Sequence, residues 1–338
     1  MNKRSYTPPY ELTSKILDSV EQIGERLGRL KAIAVRTAVP KLRRGNRIKT
    51  IQASLEIEGN TLTVQQVTAI LSGQRVLGQP REIQEVRNAF NAYEQMGNFS
   101  PCDCNDLLAA HGLLMAGLVD ESGKFRSGGV GIFRGTKVTH MAPPAKRVPQ
   151  LIAQLLAWLK NSQEHPLITS SVFHYELEFI HPFADGNGRI GRLWQTLILS
   201  RWQPLFSLLP IESVIRDRQK EYYAALGQSD ADAAATAFIE FMLNAIAQAT
   251  REITLETDQV SDQVSDQVSD QVKKIAEMLR HGPQSASELM SKLGLSHRPS
   301  FRQNYLRPAL DAGIIEMTRP DKPQAKNQKY QLKRQQAE

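Results

Sequence analysis

The sequence predicts a mainly α-helical chain with one small β-hairpin near its middle and a separate basic module at its C-terminus. Three observations point there. Apolar residues recur three and four apart over most of the 338 residues. Glycine-rich alternation is confined to one short stretch. The charge is segregated: Lys273 to Glu338 hold 13 Lys+Arg and 6 Asp+Glu, a net of +7, while the preceding 272 residues carry 29 of each sign.

The elements follow in order. LTSKILDSVEQIGERLGRLKAIA, REIQEVRNAFNAYEQM, VPQLIAQLLAWLKN, RLWQTLILSRW and ATAFIEFMLNAIAQA all show helical spacing, and the body they form ends near Arg251. GGVGIFRGTKVTHMAPP, residues 128–144, alternates between glycines and a proline stop and reads as a small hairpin or flap. Thr257 to Val272 is a four-residue repeat in which Val260, Val264, Val268 and Val272 make one drifting stripe. Six acids and no bases lie between Glu252 and Val272, so a polar linker is the expected reading, with a helical oligomerisation segment as the sharper alternative. In the basic module, Ser285 and Glu288 form a capping box, and Arg298 to Ala312 reads as a third helix carrying Arg298, Arg302 and Arg307. GIIEMTRP and NQKYQLK read as two strands around a basic loop. Helix, helix-turn-helix and a two-stranded wing make a winged-helix pattern, a module that binds DNA in some proteins and protein partners in others.

Composition narrows the class. Hydrophobic content of 41% and aromatic content of 7% suit a globular protein with a real core. No apolar run reaches membrane-spanning length, and MNKRSYTPPYELT lacks the apolar segment of a signal peptide. Cys102 and Cys104, in the pattern CDC, suit neither a zinc knuckle nor a CxxC redox pair and read as free thiols. The expected location is the cytoplasm, away from any membrane. GxxxxGK[ST], GxGxxG and HExxH are missing, and the interval from His174 to His181 is a poor zinc spacing.

HPFADGNGRIGR, His181 to Arg192, concentrates the chemistry. His-Pro ends the preceding helix, which places His181 where a loop begins. Gly186 and Gly188 permit positive φ and close backbone approach. The loop feeds a helix N-terminus, whose unpaired N–H groups form an anion site. Arg189 and Arg192 add two guanidinium forks suited to phosphate oxygens, so a polyphosphate is the predicted ligand. Asp185 beside polyphosphate would hold Mg²⁺. His181, with a reference pKa of ~6.5, can take a proton near neutral pH. A base beside a metal-bound nucleotide suggests transfer of a phosphate-containing group to a hydroxyl, with general-base help worth about 10²–10⁴ in rate. The Phe183 ring would anchor the loop in the core.

HPFADGNGRIGR resembles the signature of the Fic family, HPFx[DE]GNGRxxR, at every fixed position. The resemblance runs from about Tyr6 to Ala247 and implies a fold: a Fic helical core with a β-hairpin flap, after an N-terminal helical region and before a C-terminal winged helix. The boundaries this suggests are 1–104 for the N-terminal region, 105–250 for the core, 251–272 for the linker and 273–338 for the winged helix. It also implies transfer of AMP from ATP, with Mg²⁺, to a Ser, Thr or Tyr hydroxyl of a protein, the chain itself included. His181 would deprotonate that hydroxyl, and Asp185 would bind Mg²⁺. Gly186, Asn187 and Gly188 would line the anion hole, with Arg189 at the β-phosphate and Arg192 at the γ-phosphate. Ile190 and Gly191 complete the nucleotide-binding stretch. GGVGIFRGTKV matches the flap that aligns a target by strand pairing. EYYAAL, with Tyr222 and Tyr223, matches a stretch near the adenine pocket, although one of the two tyrosines equally suits core packing.

SLEIEGN, Ser54 to Asn60, resembles the family's inhibitory helix, [ST]xxxE[GN]. Ser54 and Glu58 are helical neighbours at i and i+4. Glu58 would pair with Arg192 and so compete with the γ-phosphate. A unit pair at 4 Å is worth ~4 kcal/mol at an effective dielectric of 20 before desolvation. The expectation is a self-restrained adenylyltransferase. Two other readings stay open: an enzyme that mainly removes AMP, and a DNA-binding regulator that senses nucleotide through a dormant core. The resemblance also allows a homodimer.

Overall fold

The computed structural model describes residues 6–34, 39–129, 131–134, 137–280, 282–311, 313–322, 325 and 327–333; inside these, side chains are described except over 31–34, 39–44, 131–134, 137–141 and 255–269. The chain divides into two compact units, Met1–Thr254 and Leu255–Glu338.

The first unit is helical. α1 (Ser14–Ala34), α2 (Val39–Ile57), α3 (Val64–Leu71), α4 (Pro80–Gln95) and α5 (Cys104–Met115) precede the hairpin β1 (Gly131–Arg134) and β2 (Lys137–Met141). α6 (Val148–Asn161), α7 (Pro166–Ile180), α8 (Asn187–Trp202), α9 (Ile211–Asp217) and α10 (Gln219–Asp232) follow, and then the first part of α11 (Thr236–Leu279). β1 and β2 pair antiparallel, Gly131 opposite Met141 and Arg134 opposite Lys137, with a bulge between Ile132 and Phe133.

α7 and α8 are the centre of this unit and pack on each other along their lengths. Leu167, Val172, Phe173, Leu177, Leu193, Trp194, Leu197 and Leu199 have no exposed surface. Helices buried on nearly all sides, as these two are, belong inside a core rather than on it. Two of the polar residues of α7 that share this burial are satisfied locally, since Ser170 and Ser171 both donate to the Leu167 carbonyl, at 3.2 and 2.9 Å, while His174 meets Gln195 of α8 at 2.6 Å. α2 packs against α9 and α8, which brings the Ser54–Glu58 turn to the start of α8.

The second unit holds the rest of α11, β3 (Gln284–Ser285) and α12 (Ala286–Lys292). A helical run follows: α13 (Arg298–Phe301), a π turn at Arg302–Leu306 and α14 (Arg307–Asp311). β4 (Ile315–Met317) and β5 (Lys329–Leu332) complete it. The three strands form one antiparallel sheet in the order β3-β5-β4. Val272, Ile275, Leu279, Leu289, Phe301, Leu306 and Ile315 make its core. The Ser285–Glu288 capping box is present, and the third helix expected over 298–312 spans Arg298 to Asp311, Ala312 lying outside the described residues.

Two differences appear at this level: Gln284–Ser285 adds a third strand to the two expected, and the segment expected as a polar linker is helical. Residues 251–272 are helical, within α11. No glycine or proline occurs between Thr236 and Leu279, so acid-rich composition alone has nothing to break the helix. The side chains of Val260, Val264 and Val268 lie outside the described residues, while Val272 is buried in the second unit.

Candidate active site

The loop between α7 and α8 is built by three constraints. Pro182 stops α7, and His181 turns into the left-handed region, φ 49° and ψ 61°, with its N–H on the Leu177 carbonyl at 2.9 Å. A non-glycine residue there costs about 1–3 kcal/mol and persists only where its surroundings impose it. Phe183, with no exposed surface, stacks on His111 with ring centroids 3.7 Å apart. Asn187 clasps the loop from inside the next helix: its Oδ1 accepts from the Phe183 N–H at 3.0 Å, and its Nδ2 donates to the Phe183 carbonyl at 2.9 Å.

The two glycines do different things. Gly186 takes positive φ, +86°, and a Cβ on it would lie 2.7 Å from Met115 Sδ. Gly188, expected to use the same freedom, lies inside α8 instead. Its need is space, because a Cβ there would meet Glu58 Oε1 at 2.4 Å and Arg192 Nη1 at 2.9 Å. α8 begins at Asn187, earlier than the apolar pattern after Arg189 suggests, so the N–H groups of Asn187, Gly188 and Arg189 have no intrahelical acceptor.

Both arginines are buried and already hold anions. Arg192 donates from Nη2 to Glu58 Oε1 at 2.7 Å and to the Ser54 carbonyl at 3.0 Å, and from Nε to Ser54 Oγ at 3.1 Å. Burial pushes the Arg192 pKa down. Glu58, with Tyr222 and Glu178, outweighs it, so the guanidinium is held charged. Arg192 Nη1 is buried without a hydrogen-bond partner, as is Arg189 Nε. Arg189 pairs with Asp185 at 2.8 Å and with Glu85 at 3.4 Å, and Arg81 reaches Asp185 at 3.4 Å. The Asp185 carboxylate keeps 42% of its surface exposed.

Ile190, expected in the nucleotide site, is instead fully buried in the apolar core. Gly191 packs against α7, where a Cβ would meet His174 at 2.8 Å. These two residues carry the helix and do not face the loop. Tyr222 is also in the core, 1% exposed, with its hydroxyl 3.2 Å from His174 Nε2, so its ring has no free face for a base. Tyr223 is half-buried, and its ring meets that of Tyr222 edge-on with centroids 5.2 Å apart.

Sequence reasoning missed the supports. His111 Nδ1 accepts from the Gly123 N–H at 3.0 Å, which leaves Nε2–H to donate to the Asp185 carbonyl at 2.9 Å. Burial, with Arg189 nearby, lowers the His111 pKa to about 4, so the ring is neutral. Asn60 Nδ2 donates to Glu85 Oε2 at 2.9 Å, which links the end of the Ser54–Asn60 segment to the Arg189 network. These partners lie far upstream, and no local spacing marks them. Cys102 and Cys104 are free, and burial raises both thiols.

A helical core whose α7–α8 loop combines a histidine, an acid, a helix N-terminus and two buried arginines is an arrangement that can hold an anion beside a proton acceptor. Residues 101–199 match the Fic/DOC family, and residues 270–333 match the C-terminal domain of filamentation induced by cAMP protein Fic-like. The fold superimposes on a crystal structure of a Fic family protein from Desulfovibrio desulfuricans G20 with a TM-score of 0.73 and 57% identity, covering 98% of this chain and 100% of that one. The chain belongs to the Fic family. It is also similar to protein adenylyltransferase fic-1 of Caenorhabditis briggsae, 32% identical over 205 residues, 56% of this chain and 38% of that protein. With fic-1 of Caenorhabditis elegans it shares 30% identity over 227 residues, 63% of this chain and 42% of that protein. The matched region is about two-fifths of the length of these two relatives.

Proposed function

We propose that this chain is a protein adenylyltransferase that moves AMP from ATP to a Ser, Thr or Tyr hydroxyl of a target protein, and that Glu58 restrains it. The observation that carries the reading is the Glu58 carboxylate. It sits on Arg192, 2.7 Å away, directly over Gly188 at the N-terminus of α8. A carboxylate there stands in for a phosphate. The orphaned donors, Arg192 Nη1 and the first-turn N–H groups of α8, are what a polyphosphate would satisfy.

His181 takes the proton of the target hydroxyl. The hydroxyl oxygen bonds to the α-phosphorus, the bond from that phosphorus to the α–β bridging oxygen breaks, and pyrophosphate leaves with the electron pair. Mg²⁺, when bound, would neutralise charge on the phosphates. Asp185 is the residue that would hold it, and one carboxylate suffices for a metal that keeps waters and phosphates as its other ligands. Among the described residues no cluster of three or more His, Cys, Asp or Glu forms a protein-only metal cage. Arg189 and Arg192 hold the leaving phosphates, Asn187 keeps the loop in shape, and the hairpin aligns the target backbone. Glu58→Gly should raise transfer at least about fivefold, which a quarter of the ~4 kcal/mol pair energy allows. An unchanged rate in a folded variant that binds ATP would remove the restraint.

We read the second unit as a winged helix with a DNA-binding surface. A groove of about 730 Å³ lies between its third helix and sheet, lined by Arg298, Arg302, Arg307, Met317 and Tyr330. For three phosphate contacts, affinity for a random-sequence duplex should fall about 40-fold between about 50 and about 200 mM salt. No binding at the lower salt would remove this reading, and binding to an acidic polypeptide alone would replace it.

A further inference from the structure

Arg126 lies ahead of the hairpin and its side chain is buried, 3% exposed. Its Nε donates to the His181 carbonyl at 2.7 Å and its Nη1 to the Gly128 carbonyl at 2.8 Å. Its Nη2 donates to the carbonyls of Pro143 and, at 3.4 Å, Ile180. Its own N–H reaches the Pro182 carbonyl at 2.9 Å. All of these acceptors are backbone oxygens. Ile180, His181 and Pro182 are the end of α7 and the turn that follows it. Gly128 and Pro143 flank the two strands of the hairpin.

The placement has a physical reason. The last carbonyls of α7 have no intrahelical donor, and they form the negative end of the helix dipole. A guanidinium there is stabilised without a carboxylate, and its planar fork reaches acceptors on two sides at once. The same contacts hold the His181 backbone in its left-handed conformation. The hairpin and the histidine are therefore built on one side chain.

We propose that Arg126 is a positioning residue for AMP transfer, fixing the catalytic histidine and the target-aligning hairpin relative to each other. The proposal rests on the transfer reading above. A target strand paired with β1–β2 can present its hydroxyl to His181 only if both are held to within about 1 Å, and losing that precision can cost about 100-fold. Nothing in this geometry touches the phosphates, so nucleotide affinity is a separate quantity.

The test compares Glu58→Gly with Glu58→Gly/Arg126→Lys. Lysine keeps the charge but presents three donors from a single nitrogen and cannot span the four carbonyls. The expected result is a transfer rate lowered about 10- to 100-fold, an ATP Kd changed less than about twofold, and faster amide hydrogen exchange over 128–144. Unchanged rate and exchange would overturn the proposal. So would a loss of ATP affinity as large as the loss of rate, because Arg126 would then be supporting the whole loop. Should Arg126→Lys not fold, Arg126→Gln keeps a planar amide donor and is expected to show the same split between rate and affinity. If Glu58→Gly forms no adduct, the transfer reading fails at the parent. Hydrogen exchange then decides the clamp alone, and unchanged exchange over 128–144 overturns it.

Discussion

Arg192 is almost completely buried, while its partner Glu58 keeps 30% of its side chain exposed. Removing one member of a fully buried pair costs about 3–5 kcal/mol, and the exposure of Glu58 reduces that to about 1–3 kcal/mol. Glu58→Gly should therefore melt below wild type without ligand, and ATP with Mg²⁺ should raise its melting temperature more than it raises the wild type's. Thermal shift measurements with and without nucleotide check this. Two other buried residues set a pH dependence. Burial lowers the pKa of His111 to about 4 and that of His174 to about 3. Both rings are neutral when folded, while the unfolded chain takes up protons below its ordinary histidine value of ~6.5. The unfolded state thus binds more protons between about pH 3 and 6.5, and stability falls as pH drops through that window. Above it these two groups contribute no slope. His111→Gln should flatten the fall in melting temperature between pH 6.5 and 4.

At the level of elements, most of the fold was legible because the helices bury one face or all faces, and both patterns leave a periodic trace. The loop was legible because its histidine, acid, glycines and arginines sit within twelve residues. Its supports were not. His111, Arg81, Glu85 and Arg126 are single polar residues on ordinary stretches, and only the packing of α4, α5 and the pre-hairpin loop against α7–α8 brings them to the site. Ile190 and Gly191 show the converse, since position within a motif did not tell which side of α8 each residue faces. The DQVS repeat is helical because no glycine or proline interrupts it, a conformation that its acidity alone does not indicate. Caps were readable at residue resolution. Ser285 accepts from the Glu288 N–H at 3.3 Å, and the Glu288 carboxylate accepts from the Ser285 N–H at 2.7 Å. Ser285→Ala should lower the stability of the second unit by about 1 kcal/mol. Chemical denaturation should show the shift there, with the first unit's transition unmoved.

Over the whole molecule, charge and chemistry are divided. The first 272 residues balance to zero and hold the loop, while the last 66 carry the net charge of +7. Among the described residues no helix is long and apolar enough to cross a membrane. For the proposed transfer, target choice would lie outside the active-site loop, because a hairpin that paired with target backbone would encode little side-chain preference. The central proposal concerns the first unit: His181 takes the hydroxyl proton in AMP transfer and Glu58 holds the reaction back. Intact-mass spectrometry tests it most directly, on wild type, Glu58→Gly and Glu58→Gly/His181→Ala after incubation with ATP and Mg²⁺. The account predicts AMP added to Glu58→Gly, little or none on wild type, and none on the double variant. An adduct on the double variant, equal modification of wild type and Glu58→Gly, or no adduct on Glu58→Gly would contradict it.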